Sequence, residues 1–591
     1  MKKALLISCS ILLLTFGCKT SKPTGSLVKG DDLFELFDDE INKNVFLSDK
    51  KGVYGENGMV ASAHVVASEV GTQILKSGGN AADAAVAIFF ALAVVHPFAG
   101  NLGGGGFAVI RDPQGVAYAL DFREKAPLKA HRDMYLDANG EVIQGLSTLG
   151  HLASGVPGSV DGMVQLHAKL GSKPWAKLLQ PAVDLAEKGV VLTKNQASSM
   201  SRGRENFEKV NGADTPYFVH PGGGDWSEGE LFIQKDLADA LKRIQKEGRK
   251  GFYEGKTAEL LVKEMEKGGG IISQEDLDTY DSEWREPIKE AYKEYKVISM
   301  PPSSSGGVAL VQLLKLVEPY PLKKWGWGSA EGYQVMIEAM RRVYADRAKW
   351  MGDQDFVKVP MKELMSKPYL EERWATFNPN KASLSADINA GEIPYYESDQ
   401  TTHFSVVDKN GMAVSITTTL NGAYGSKVVV DGAGFFMNNE MDDFSVKAGV
   451  PNMFGLVGNK ANEIQPGKRM LSSMTPTIVE KDNQLFLVLG TPGGSTIITS
   501  VFETMLNVTE YGMNMQQAVN AFRFHHQWLP DKVFAEEGAF SEEVLQALLN
   551  KGYIIQIQKG TIARMDCIMR HPNGLLEGGS DPRSESTSVG Y

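Results

Sequence analysis

Sheets flanked by helices are the architecture this sequence predicts, an α+β class, and three observations point to it. The last third carries β-branched runs joined by short polar turns, the signature of paired strands. An alanine-rich stretch, Ala84 to Val95, is apolar on every side yet too short to span a bilayer, which makes it a helix buried in a large core. Between them, about 160 to 380, amphipathic helical segments alternate with turn-rich stretches such as Pro221-Gly222-Gly223-Gly224.

The elements follow in order. Lys2 and Lys3 precede an apolar run from Ala4 to Leu14, and small residues lead to Cys18, the layout of an export signal. Thr15-Phe16-Gly17-Cys18 resembles the cleavage box of bacterial lipoproteins, although Leu14 stands four residues before the cysteine rather than three. The resemblance implies a lipoprotein-type signal peptide over 1–17, acylation of Cys18, a polar tether over 18–50, and a location in the periplasm or cell envelope through a lipid anchor. From about Ala61 to Pro97 the pattern is helical, interrupted by Ser77-Gly78-Gly79, with Asn80 as an N-cap for the second helix.

Asn101-Leu102-Gly103-Gly104-Gly105-Gly106-Phe107 then opens a strand. It lacks the Gly-Lys-Ser/Thr ending of a phosphate loop and the strand-then-helix order of a dinucleotide fingerprint, so nucleotide binding is rejected. Charges in the middle region are mixed in sign and read as solvated helix faces. In the last third, His403 to Asp408 and Ala413 to Leu420 flank the turn Lys409-Asn410-Gly411, and Thr475 to Glu480 with Leu485 to Leu489 repeat the arrangement. Helices return near 497–522 and 541–551.

Composition narrows the function. The 591 residues carry 61 Lys plus Arg against 72 Asp plus Glu, a net charge of −11, and no basic cluster offsets it, so nucleic acid is excluded as a partner. Three cysteines, Cys9, Cys18 and Cys567, exclude a disulfide framework and a cysteine-rich zinc site. The adjacent His525 and His526 point apart on a helix or a strand, and no third ligand is signalled; they read as structural, as does His403. No metal and no cofactor are expected.

The chemistry centres on Gln400-Thr401-Thr402-His403, where a polar linker containing Glu397, Ser398 and Asp399 meets the first strand of the last third. A threonine hydroxyl is a poor nucleophile without a base. Cutting the chain before it frees an α-amino group, with an ordinary pKa of about 7.7 to 8.0, that can accept the hydroxyl proton. By spacing alone, a threonine at a strand start is usually just a strand residue with a satisfied hydroxyl.

The wider sequence decides. Thr401-Thr402-His403-Phe404-Ser405, Thr419-Leu420-Asn421, Asn439-Glu440-Met441-Asp442-Asp443-Phe444, Leu471-Ser472-Ser473-Met474 and Thr491-Pro492-Gly493-Gly494-Ser495 together resemble the γ-glutamyltranspeptidase family. So do Leu120-Asp121-Phe122-Arg123-Glu124, the Gly78 to Ala85 segment, Arg523 to Trp528 and Ser580-Asp581-Pro582-Arg583-Ser584, in the family's order from about residue 55 to 591.

The resemblance implies a four-layer αββα sandwich of the N-terminal-nucleophile hydrolase type, formed by two subunits cut from one precursor between Gln400 and Thr401. A large subunit, 51–400, and a small catalytic subunit, 401–591, would remain associated as a heterodimer. Thr401 would attack the γ-carbonyl of glutathione or another γ-glutamyl compound, and water or an acceptor amino acid or peptide would resolve the ester. Thr419 would hydrogen-bond the Thr401 hydroxyl, and the backbone N–H groups of Gly493 and Gly494 would hold the oxyanion. A γ-glutamyl head presents a carboxylate and an ammonium. Arg123, helped by the Ser472 and Ser473 hydroxyls, suits the first; Glu440 and Asp443, with Asn421, suit the second.

Read singly, Arg123 is a surface ion pair, the two acids a solvated loop, Pro-Gly-Gly-Ser a tight turn and Thr419 a buried strand threonine. Pro451 to Gly458 resembles the family's lid loop. Phe454 stands where a tyrosine is usual, losing the hydroxyl that reaches the asparagine matching Asn421; a looser lid follows. Phe522 stands where proline is common, with no functional consequence evident. Two other readings are an acylase-type or poly-γ-glutamate-processing relative of the same fold, and a non-enzymatic solute-binding lipoprotein. The acids favour a substrate with a free amino-acid head over a glutaryl group, and Thr401 with Gly493-Gly494 favours turnover over binding alone.

Overall fold

A computed structural model describes residues 27–29, 46–212, 217–388 and 401–591. The signal segment 1–17, Cys18 and Gln400 lie outside the described residues. Two seven-stranded sheets, antiparallel throughout, form the centre. The first runs Thr587–Gly590, Gly58–Ser62, Thr402–Asp408, Ala413–Thr419, Gly105–Arg111, Ala117–Phe122 and Glu283–Arg285; the second runs Val53–Gly55, Leu576–Ser580, Asp566–Arg570, Gln484–Leu489, Thr477–Lys481, Tyr295–Ser299 and Ile288–Tyr292.

The strands' two-residue period assigns the layers. In Thr402–Asp408, Phe404 and Val406 join a core shared with the helices Val65–Lys76, Ala81–Val95 and Trp175–Lys188, while Val407 faces a core between the sheets with Met59, Ile478 and Val488. On the far side of the second sheet, Val479, Leu487 and Leu489 pack under the helices Gly306–Val317, Ala330–Trp350 and Thr496–Thr509. Helix, sheet, sheet, helix is thus the stacking order, the four-layer αββα sandwich. Polar contacts stitch the sheets near one end: Ser405 Oγ donates to the Asp566 carbonyl at 2.8 Å and Ser415 Oγ to the Leu489 carbonyl at 2.9 Å.

The helix Ala81–Val95 is buried at all fifteen positions, as its uniform apolarity requires. Asn80 caps it: its side chain accepts from the Asp83 N–H at 2.9 Å, and the Asp83 carboxylate accepts from the Asn80 N–H at 3.0 Å. Asp408, at the end of the strand that Thr402 begins, accepts from the Ala81 N–H at 3.0 Å, tying helix to strand.

Three expectations change. Ala61 and Ser62 belong to a strand, and the first helix begins at Val65 with the His64 side chain capping the Val66 N–H; pairing on both edges of Gly58–Ser62 outweighs local helical patterning. The tether is shorter than 18–50. Leu47 N–H donates to the Asn520 carbonyl at 3.0 Å, the Asn520 amide donates to the Ser48 and Lys50 carbonyls, and Leu27–Lys29 pairs in parallel with residues 555–557. Finally, the charges along the middle of helix Ala330–Trp350 are not solvated. Arg341, Arg342, Asp346 and Arg347 are buried, because ion pairs such as Arg342 to Glu338 at 2.5 Å and Arg373 to Asp346 at 2.9 Å compensate the desolvation.

Candidate active site

Thr401 begins the last described segment, immediately before the strand Thr402–Asp408, and is 5% exposed. The neighbouring strand Ala413–Thr419 runs antiparallel, with Thr402 opposite Thr418, so its last residue, Thr419, comes level with Thr401. Beyond Thr419 the chain turns through Asn421, whose φ of +70° is a left-handed conformation that asparagine tolerates better than most residues. The turn is held from both sides. Asn421 N–H donates to Thr419 Oγ1 at 2.7 Å, and the Asn421 amide donates to the Asn439 carbonyl at 3.0 Å.

The glycine run now has a physical reason. A side-chain carbon on Gly104 would lie 2.0 Å from the Thr419 carbonyl oxygen, and one on Gly103 would lie 2.2 Å from that of Phe436. The run lets three backbones meet directly behind the strand that Thr402 begins.

A cleft of about 280 Å³ opens at Thr401. Nine of the ten catalytic and substrate-binding residues expected from sequence line it: Arg123, Thr401, Thr419, Asn421, Glu440, Asp443, Ser472, Ser473 and Gly494. Phe454, Leu456, Met474 and Ile497 supply its apolar wall. Gly493 stands just outside, with φ +143°, and its carbonyl accepts from the Thr496 N–H at 2.8 Å where the helix Thr496–Thr509 begins. Backbone N–H groups at a helix start favour negative charge.

The electrostatics are unusual. Arg123 is fully buried and wrapped by acids: Nη1 lies 2.7 Å from Glu440 Oε2 and 3.5 Å from Glu124, and Nη2 lies 2.5 Å from Asp443 Oδ2. Its backbone N–H donates to Asp121 at 3.0 Å, and Arg285 Nε grips the same carboxylate at 2.7 Å. Three carboxyls around one guanidinium cannot all ionise cheaply. Burial, only partly opposed by Arg123, pushes Glu124 up to about 8 and raises Glu440 and Asp443 as well. Arg123, expected with Ser472 and Ser473 at the substrate carboxylate, is therefore matched by the very acids expected at the ammonium end.

A second cation, missed from sequence, stands behind the serines. Arg347 is buried in the helix Ala330–Trp350 and donates from Nε to Ser305 Oγ at 2.9 Å and from Nη2 to Ser473 Oγ at 3.1 Å. Its nearest acid influence is Asp443 acting from a distance, and burial lowers its pKa. Ser472 is fixed by its N–H to the Ser303 carbonyl at 3.1 Å, and its hydroxyl accepts from the Met474 N–H at 3.1 Å.

The lid loop closes one wall. Pro451 bridges to Val457, the Asn452 amide donates to Asp443 Oδ1 at 2.9 Å, and Met453 N–H donates to Asp442 at 2.7 Å. The Phe454 ring lies over Gly494, where a side-chain carbon would come within 2.7 Å of it. Met453, next to Phe454 in the loop, touches Asn421, whose amide lies 3.6 Å from its sulfur.

The histidines are held elsewhere. His403 hydrogen-bonds to Thr417 at 2.9 Å and Ser405 at 3.1 Å, His525 to Thr499 at 2.8 Å and Gln527 at 2.9 Å, and the His526 ring accepts from the Trp528 N–H at 3.0 Å. Among the described residues no group of three or more His, Cys, Asp or Glu is arranged to hold a metal, and no helix is long and apolar enough to cross a membrane.

Comparison with known proteins gives the same direction. The profile of the Gamma-glutamyltranspeptidase family matches residues 67–591. A protein of Pseudomonas sp. (strain A14) named glutathione hydrolase proenzyme is 48% identical over 86% of this chain and 88% of its own length. One of the same name from Escherichia coli (strain K12) is 46% identical over 91% of this chain and 93% of its own. Among solved structures, cephalosporin acylase from Bacillus halodurans superposes with a TM-score of 0.81 at 28% identity, covering 92% of this chain and 97% of that one.

Proposed function

From the chain's membership of the γ-glutamyltranspeptidase family, shown by those matches, we propose that it is an exported, self-cleaving γ-glutamyltransferase and glutathione hydrolase whose nucleophile is Thr401. One observation carries the reading: nine residues drawn from six separate stretches of sequence line a single cleft around one buried threonine. Scission between Gln400 and Thr401 turns residues 51–400 and 401–591 into large and small subunits and gives Thr401 a free α-amino group. That group accepts the hydroxyl proton as Oγ attacks the γ-carbonyl of the donor. The oxyanion is met by N–H groups of Gly493 and Gly494; each such donor is worth about 2.7 to 4 kcal/mol. The leaving amine takes the proton, and water or an acceptor amine then resolves the ester.

The head group is recognised by charge. Its ammonium meets the surplus of acid at Glu440 and Asp443, with Asn421 beside them. Its carboxylate meets the Ser472 and Ser473 hydroxyls, with Arg123 and the otherwise unmatched Arg347 behind. The acylase likeness in structure gives a second reading, a glutaryl-type acyl donor, but such a group has no ammonium to engage the buried acids. Lipid anchorage through Cys18 and a place in the cell envelope complete the proposal.

Denaturing electrophoresis with amino-terminal sequencing tests it. Two bands are expected, the smaller beginning Thr-Thr-His-Phe, and Thr401→Ala is expected to give one uncut, inactive chain. A wild-type chain that is active while continuous through residues 400 and 401 refutes it. Hydrolysis of a γ-glutamyl amide in preference to the glutaryl amide separates the two donor readings.

A further inference from the structure

The stretch Pro301-Pro302-Ser303-Ser304-Ser305-Gly306-Gly307 has the composition of an exposed turn, yet Ser303, Ser304 and Ser305 are fully buried. A buried hydroxyl needs a partner, and each of these has one. Ser305 Oγ donates to the Ser472 carbonyl at 2.7 Å, Ser304 Oγ to the Met474 carbonyl at 2.6 Å, and Ser303 Oγ to Asp121 Oδ2 at 3.2 Å. The backbone adds to the grip: Ser305 N–H donates to the Ser472 carbonyl at 2.8 Å, and the Ser303 carbonyl accepts from the Ser472 N–H. A side-chain carbon on Gly306 would lie 2.4 Å from the Met474 carbonyl oxygen, so only glycine lets the loop lie directly against this segment.

Asp121 is where the serine loop meets Arg123. Its Oδ1 accepts from the Arg123 N–H, and its Oδ2 accepts from the Ser303 hydroxyl and from Arg285 Nε. Arg469, three residues before Ser472, brings its Nε to 3.4 Å from Oδ1. One fully buried carboxylate therefore touches the Arg123 backbone, the serine loop and the segment leading to Ser472 and Ser473. Burial opposes its ionisation, but Arg469 and Arg285 outweigh that and hold the carboxyl below the usual range, so it stays a charged acceptor. The Arg123 guanidinium closes the ring, donating from Nε to the Met470 carbonyl at 3.3 Å and from Nη2 to that of Leu471 at 3.4 Å. Asp121 and Ser303 stand behind the cleft wall that Arg123, Ser472 and Ser473 line.

We propose that Asp121 is a positioning residue for the donor's α-carboxylate: acting through Ser303 and the Arg123 backbone, it sets the spacing between Arg123 and the Ser472-Ser473 pair. The inference rests on the γ-glutamyl reading above and deepens it. A carboxylate held between a guanidinium and two hydroxyls needs all of them in place at once, and groups carried by separate elements keep that spacing only if something ties the elements together.

The test compares two compounds on processed enzyme. One is γ-glutamyl p-nitroanilide; the other, γ-aminobutyryl p-nitroanilide, keeps the ammonium and the scissile amide but lacks the carboxylate, and is assayed both as substrate and as competitive inhibitor of the first. Asp121→Asn keeps the shape and an acceptor for the Arg123 N–H, but its amide nitrogen cannot accept from Ser303 and leaves Arg285 and Arg469 facing a neutral group. Its γ-glutamyl KM is expected to rise about tenfold or more with kcat within about threefold, the scale of one lost hydrogen bond to a charged group. For the γ-aminobutyryl compound, kcat/KM and the inhibition constant are expected to stay within about twofold of wild type. Ser303→Ala cuts the same path at one bond and is expected to raise the γ-glutamyl KM alone by about threefold to tenfold. It carries the test if the asparagine variant does not accumulate as processed enzyme. Combined, the two substitutions are expected to cost no more than Asp121→Asn by itself, because both break one connection. A loss shared equally by the two compounds, or an unchanged γ-glutamyl KM, overturns the inference. Absence of γ-glutamyl hydrolysis by wild type is a different result: it overturns the reading beneath, and the positioning role falls with it.

Discussion

Replacing Arg347 by Met separates recognition from stability. Its guanidinium makes two hydrogen bonds, to Ser305 and Ser473, and no carboxylate of the described residues pairs with it. A hydrogen bond from a charged donor contributes about 1.5–3 kcal/mol, and every 1.4 kcal/mol is tenfold, so loss of the cation behind Ser473 is expected to raise the donor KM about 10- to 150-fold. Little change in kcat is expected, because the α-carboxylate is held equally in ground and transition states. Stability behaves differently. Removing a buried charge with no acid beside it relieves a desolvation cost that offsets the two lost bonds, so the unfolding free energy is expected to stay within about 1 kcal/mol of wild type. Steady-state hydrolysis of a γ-glutamyl amide, read beside urea denaturation, reports both quantities. Arg347→Lys, which keeps the charge but only one of the two bonds, is expected to recover part of the KM. An unchanged KM in the methionine variant, or a kcat loss as large as the KM rise, refutes the reasoning.

Three further outcomes follow from the geometry. Gly104→Ala places a carbon 2.0 Å from the Thr419 carbonyl, so the end of that strand must shift; a displacement of about 1 Å costs on the order of a hundredfold in kcat, measurable by the same assay, and normal turnover in this variant would contradict the close packing. Glu124, pushed up to about 8 by burial, contributes stability that is present below its unfolded value near 4.5 and lost as pH rises through 8, so Glu124→Gln is expected to gain stability relative to wild type between pH 5 and 8; a pH-independent difference in denaturation midpoint excludes this. Phe454→Tyr is expected to tighten the lid and lower the ratio of hydrolysis to transfer; an unchanged product ratio by chromatography dismisses the missing hydroxyl as a cause.

Much of the site was legible only through the joint resemblance of its motifs to the family; taken singly, Thr401 reads as a strand threonine, Arg123 as a surface ion pair and Gly493-Gly494 as a tight turn. Arg347 was invisible for a physical reason. Its helix alternates Glu338, Arg341, Arg342, Asp346 and Arg347, a pattern that describes a solvated face equally well, and only tertiary packing buries it. The wrapping of Arg123 by three acids was hidden too, since Glu124, Glu440 and Asp443 come together only when the turn after Asn438 folds against the first sheet. Gly103 to Gly106 reads as a strand opening, whereas the distances show it to be the space through which three strands approach.

Both seven-stranded sheets interleave strands from the two sides of residue 401. Thr587–Gly590 and Thr402–Asp408 embrace Gly58–Ser62, and Val53–Gly55 completes an edge begun by Leu576–Ser580. A peptide bond severed before Thr401 would therefore nick the chain without parting the fabric, and the only described cysteine, Cys567, is buried and unpaired, so nothing covalent would be required to keep the pieces together. Neither piece owns either seven-stranded sheet whole. Expressed apart, each would be a frayed half-weave with long unpaired borders, which makes synthesis as one strand, with scission postponed until after folding, the route that this topology demands.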